Sequence, residues 1–156
     1  MSLLKVPVYA LLSAICLFSF LTTAQAQSHS CGTPRQYYSE WKQHPTENYH
    51  YRSYYYKPQE KYSGYKHHYV VYTPQKPDHY YYYNPYKKQY WGRCPVNHGG
   101  QPLYSHLPVE FMKPTLAEIP EDAFPAFGAL PPIPESTDGP LLDLPPDDLP
   151  VLSPGL

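Results

Sequence analysis

Between residues 49 and 93 short apolar runs alternate with clusters of turn-forming residues, and nearly every apolar position is a tyrosine. The runs "YHYRSYYY" (49–56), "KHHYVVYT" (66–73), "HYYYY" (79–83) and "QYWGR" (89–93) read as strands, because Tyr and Val suit extended backbone and Tyr is a weak helix former. Pro58 and Gly64, Pro74 and Pro77, and Asn84 with Pro85 break the chain between them. Connections this short join antiparallel neighbours. The pattern therefore predicts a mainly β fold, a small antiparallel meander of three to four strands. "PLYSHL" (102–107) either adds a fifth strand or runs along an edge.

Period-two alternation half fails as a guide to the buried face, since Tyr80 to Tyr83 put rings on both sides. Either both faces are partly covered or one aromatic face stays open, and a lone meander of this size needs cover on at least one. One candidate cover is "RQYYSEWKQHP", where a single helical turn would bring Tyr37 and Trp41 to one side. The other is the segment after the strands, where the pattern changes. Residues 102–156 hold thirteen prolines. Thr115 and Glu118 have capping-box spacing, but Pro120 stops a helix after one turn. Spaced Leu116, Ile119, Phe124 and Phe127 suggest that the start of this segment docks. Beyond it, "PPIPESTDGPLLDLPPDDLPVLSPGL" is expected to be extended, polyproline-II-like and largely disordered.

At the N-terminus, Lys5 precedes a largely apolar run of fourteen, "VYALLSAICLFSFL" (8–21), followed by Ala24 and Ala26 in an A-x-A pattern. This is the grammar of a secretory signal peptide cut after Ala26. The run is short for a membrane span, and no lipobox precedes Cys31. The expected organisation is a signal peptide at 1–26, a Tyr-rich β domain at 27–107 and an acidic Pro-rich tail at 108–156. The expected location is exported: periplasmic, cell-envelope or extracellular, with no membrane span after cleavage.

Composition sharpens the picture of the core. Residues 35–95 hold seventeen of the nineteen tyrosines and both tryptophans, and between Arg35 and Arg93 the only aliphatic side chains are Val70 and Val71. The core must then be built from phenols, whose buried hydroxyls need partners. Charge is divided along the chain. Residues 27–101 carry ten Lys and Arg against four Asp and Glu, and residues 102–156 carry one Lys against nine acids. The halves can attract one another, or each set can simply keep its own segment soluble. Cys31 and Cys94 remain after cleavage, and in an exported protein an even pair implies one disulfide. It would close a loop of about 60 residues, worth roughly 4 kcal/mol.

Candidate chemistry is sparse. His50, His67, His68 and His79 are the residues on which a His/Tyr copper or zinc site would draw, yet no HxH, HExxH or CxxC spacing occurs, and His67 and His68 point to opposite faces of a strand. No metal or other cofactor is expected. There is no GxSxG, no Gly-rich phosphate loop and no enclosed pair of strand-borne carboxylates, so no enzyme is expected. Aromatic residues interleaved with Lys and Arg suit single-stranded nucleic acid, but export removes that partner. The same surface suits sugar rings or a proline-rich peptide, including the chain's own tail in cis.

The text "YYYKP…GYKHHYVVYTP…YYYYNPYKKQYWGRCP", then "IPEDAF" and "PPIPESTDGP…LPPDDLP", resembles a group of uncharacterised tyrosine-rich bacterial exported proteins. In these a Tyr block ending in YWGR-like text precedes an acidic Pro tail. The resemblance covers roughly residues 49–150. It implies the block order and an exported bacterial setting, and no activity.

The expected function is a non-catalytic secreted or envelope protein, binding or structural, that presents an aromatic sheet surface. Tyr81, Tyr83, Tyr90 and Trp91 are the candidate stacking residues. Two alternatives stand beside it: a His/Tyr metal binder, and a matrix component cross-linked through its tyrosines.

Overall fold

A computed structural model describes residues 33–151. The signal-peptide reading and Cys31 fall outside the described residues. The fold is an antiparallel sheet of seven strands: β1 (Gln36–Tyr38), β2 (Lys42–Gln43), β3 (His50–Tyr56), β4 (Lys66–Tyr72), β5 (His79–Asn84), β6 (Gln89–Pro95) and β7 (Ser105–His106). Strands β3 to β6 are the four expected from the tyrosine runs, and they form a meander extended by β7. The sheet exceeds the expected three to four strands because β1 and β2 both pair with β3, one at each end of it. The segment expected to make a helical turn is thus extended. Tyr37 lies opposite Tyr55, whereas Trp41 packs on the other face with Tyr72 and Tyr80.

Register sorts the tyrosines into two layers. Tyr54, Tyr56, Val70, Tyr72, Tyr80, Tyr82 and Cys94 lie on what we term the even face, and all are buried in one core. Tyr51, Tyr55, Tyr69, Val71, Tyr81 and Tyr83 lie on the odd face. Between Tyr82 and Tyr83 the pairing with β6 slips by a residue, so that Tyr83 faces Tyr90 while Tyr82 faces Gly92. This β-bulge turns Trp91 into the even core beside Tyr82 and Tyr104. Gly92 is required there, because the Tyr104 ring occupies the space a Cβ would fill.

The proline-rich tail completes the even face. Sequence alone suggests an extended and largely disordered segment; the part described, to residue 151, is extended and packs across β1, β3 and β5. Ile133 and Leu142 are fully buried among the tyrosines, each contributing about 1.5–3 kcal/mol of burial. They supply the aliphatic bulk that residues 36–92 lack. Donors and acceptors also complement each other. A proline-rich backbone offers carbonyls and few N–H groups, whereas a tyrosine sheet has hydroxyl donors in excess. Tyr38 donates to the Asp143 carbonyl (2.6 Å), Tyr80 to the Asp148 carbonyl (3.2 Å) and Trp41 Nε1 to the same oxygen (2.8 Å). The Gln36 side chain acts like a strand backbone, donating to Leu141 O and accepting from Asp143 N and Tyr54 Oη.

Charges align in the same direction. Arg35 pairs with Asp138, Arg52 with Asp148 and Lys66 with Glu135, while Lys76 and Arg93 share Glu121. Five of the ten basic residues of the aromatic half are therefore engaged by acids of the C-terminal half.

Residues 108–127 cover part of the odd face through short 3-10 turns at Val109–Phe111, Leu116–Glu118 and Glu121–Ala123. Leu107, Ile119, Ala123 and Phe124 pack there on Tyr81. Thr115 does not cap its turn; its hydroxyl bonds the Glu118 carboxylate at 2.6 Å instead. Pro120 ends that turn, as its missing N–H requires.

The expected Cys31–Cys94 bridge involves Cys31, which lies outside the described residues; among the described residues there is no disulfide, and Cys94 is a thiol with no exposed surface. Its side chain faces the even core, enclosed by aromatic rings, and burial pushes its pKa up to about 12. A thiol so enclosed is inert.

Candidate functional site

The cover over the odd face is incomplete. Where residues 108–127 stop, a groove of about 750 Å³ remains, within the usual range for small-molecule sites. Strands β3 to β6 supply its aromatic floor: Tyr51, Tyr69, Tyr83 and Tyr90, with Val71 between them. Tyr69, Tyr83 and Tyr90 lie opposite one another across three adjacent strands, a row spanning two strand spacings, about 10 Å. Tyr51 meets Tyr69 edge to face at 5.5 Å, and Tyr83 meets Tyr90 likewise at 5.0 Å. Such contacts fix ring orientation while leaving some ring faces uncovered.

One wall is the loop between β2 and β3, where His44 stacks on Tyr49 at 4.6 Å. His44 Nδ1 accepts the Glu47 backbone N–H at 3.1 Å and so holds the loop closed. Pro114 to Ala117 form the opposite wall. Glu47, Asn48, Thr73, Gln75, Lys76 and Thr115 supply the polar rim. Lys76 is drawn to Glu121, and Glu47 is the one carboxylate lining the groove. Burial raises the pKa of Tyr49, Tyr69 and Tyr90 above the usual phenol value. Their hydroxyls are thus protonated at neutral pH and available as donors.

The four candidate stacking residues divide between the layers. Tyr83 and Tyr90 line the groove and are partly exposed. Tyr81 shares their face but lies beneath Phe124, 1% exposed, with burial raising its pKa. Trp91 is on the opposite face, because the bulge reverses its parity. The expectation of one exposed set of four is corrected on these two positions. Sequence reading missed Tyr51 and Tyr69, which carry the same period-two parity as Tyr83 but need the strand register to be placed beside it.

The four histidines are scattered. His50 and His68 are buried on the even face, His67 lies on the odd face, and His79 stacks on Phe127 at 5.6 Å. Among the described residues no group of three His, Cys, Asp or Glu side chains is placed to hold a metal. No helix among them is long and apolar enough to cross a membrane. The chain matches no family model, no curated protein and no solved structure.

Proposed function

We propose that this chain is a non-catalytic exported binding protein, and that its ligand is held in the groove on the odd face. The observation that carries this reading is the combination of a concave site with a floor of four tyrosine rings and a polar rim, on a sheet whose other face is filled by the tail. A rigid antiparallel sheet holds such rings in fixed positions, and preorganised rings lose little entropy on binding. The tail supports the reading indirectly: by covering the even face and engaging five basic residues, it leaves the groove as an open aromatic concavity.

The test is a fragment screen followed by backbone amide shifts in NMR. Shifts centred on Tyr51, Tyr69, Tyr83 and Tyr90 are expected for bound fragments. Hits whose shifts all map to other surfaces would refute the reading.

A further inference from the structure

We propose that the groove takes an uncharged oligosaccharide, an inference that rests on the groove being the binding site. Two observations converge on this chemistry. The row Tyr69–Tyr83–Tyr90 is about 10 Å long, the length of a disaccharide, and an uncovered ring face suits the C–H face of a sugar. Asn48, Thr73, Gln75 and Thr115 surround that floor with side chains that both donate to and accept from hydroxyl groups, and Glu47 adds an acceptor. Apolar floor and amphoteric rim are what a sugar needs, since each ring presents C–H groups on its faces and hydroxyls around its edge.

Charge and tryptophan placement exclude the competing ligands. A polyanion requires clustered basic residues. The one Lys or Arg lining the groove is Lys76, already drawn to Glu121, and Glu47 stands across from it in sign. A proline-rich peptide is held by this same protein in another way, on the even face. There its carbonyls receive the Trp41 N–H and the Tyr38 and Tyr80 hydroxyls, and aliphatic side chains sink between rings. No tryptophan lines the groove.

The experiment is calorimetric titration of the purified protein with cellohexaose, chitohexaose and maltohexaose, with heparin and decaproline as contrasts, each followed by amide shifts. At least one neutral hexasaccharide is expected to bind with shifts in the groove. Tyr83→Ala should weaken it about tenfold or more. Tyr83→Phe should retain most of the affinity, which separates loss of the ring from loss of the fold. Gln75→Ala, on the exposed rim, should weaken binding several-fold, and Tyr86→Ala, outside the groove, should leave it unchanged. A hexasaccharide that binds Tyr83→Ala as well as the parent, or heparin binding more tightly than any neutral sugar, would overturn the proposal. If decaproline shifts the groove and no sugar does, the sugar inference falls while the groove reading survives. If no probe of any class shifts the groove, both fall.

Discussion

Asp148 grips the Arg52 guanidinium with both carboxylate oxygens, at 2.8 and 2.9 Å, and the two partners differ sharply in exposure: the Arg52 side chain is 3% exposed and that of Asp148 is 50%. Arg52 also lies over the Trp41 ring at 4.5 Å. The cation is therefore the buried member, and removing the acid strands it. Asp148→Ala should destabilise the protein by about 1–3 kcal/mol, between the values for exposed and buried pairs. The Arg35–Asp138 pair is more exposed on the Arg side, and Asp138→Ala should leave the urea midpoint nearly unchanged. Equal effects from the two variants would refute this ranking.

Two phenols of the even-face core, Tyr38 partly buried and Tyr104 fully, should respond in opposite ways to loss of the hydroxyl. Tyr38 Oη donates to Asp143 O and lies 3.0 Å from Tyr82 Oη. Tyr104 Oη meets no hydrogen-bond partner among the described residues. Tyr38→Phe should cost about 1–2 kcal/mol, whereas Tyr104→Phe should be neutral or stabilising by up to about 1 kcal/mol. Chemical denaturation of both variants decides it, and a Tyr104→Phe loss as large as that of Tyr38→Phe would show the assignment to be wrong.

Acid should begin to weaken the fold through its buried histidines. His68 is 2% exposed, 3.2 Å from Tyr56 Oη, and burial, helped by His67, Lys87 and Lys66, holds its pKa down to about 3. Burial also lowers the pKa of His50, His79 and His106. Well above about pH 6.5 these groups are neutral in both states and contribute no pH dependence. Below it the unfolded chain takes up protons that the folded chain refuses, so stability falls as pH drops from about 6.5 toward 3. At pH 5 His68 alone should account for roughly 2 kcal/mol relative to pH 7.5. The urea midpoint of the parent should decline over that interval, and that of His68→Phe should decline less. A flat parent profile is the contrary result.

The β5–β6 turn contains one residue in the wrong backbone region for its side chain. Asn84 Oδ1 receives the N–H groups of Tyr86 and Lys87, which sets up the turn, and Lys88 then sits at φ +53°. A residue with a Cβ is strained there by roughly 1 kcal/mol, and glycine is not. Lys88→Gly should accordingly raise stability by a few tenths to about 1 kcal/mol. A fall of the thermal midpoint by several degrees would contradict the strain argument.

The strands β3 to β6 were legible because tyrosine runs and proline-marked turns agree about where the chain extends. Strands β1 and β2 were not, since "QYY" and "KQ" are too short to carry a period and are made by β3's free edge. Phe124 covers Tyr81, and the fate of the other stacking candidates depended on a bulge. Tyr83 and Tyr90 are paired across it, and Trp91 is turned away by it. No composition or spacing marks that slip, although Gly92 is a hint in retrospect. The opposed charges of the two halves were visible, but which acid meets which base was set by the path of the tail. The depth of Ile133 and Leu142 was hidden for a related reason: a proline-dense acidic segment reads as solvated until the tyrosine slots that receive its few aliphatics are known.

The burial of Ile133 and Leu142 among Tyr54, Tyr56 and Tyr82 also fixes the order in which the molecule can be finished. A ribosome delivers the strands first and these two residues after them. Until about residue 148 has emerged, the even face is a bare layer of rings, and Arg52 has no counterion. The native state therefore waits for this segment, and a chain interrupted before Leu142 leaves rings of that layer uncovered. The tail acts as a completion mark on the folded sheet.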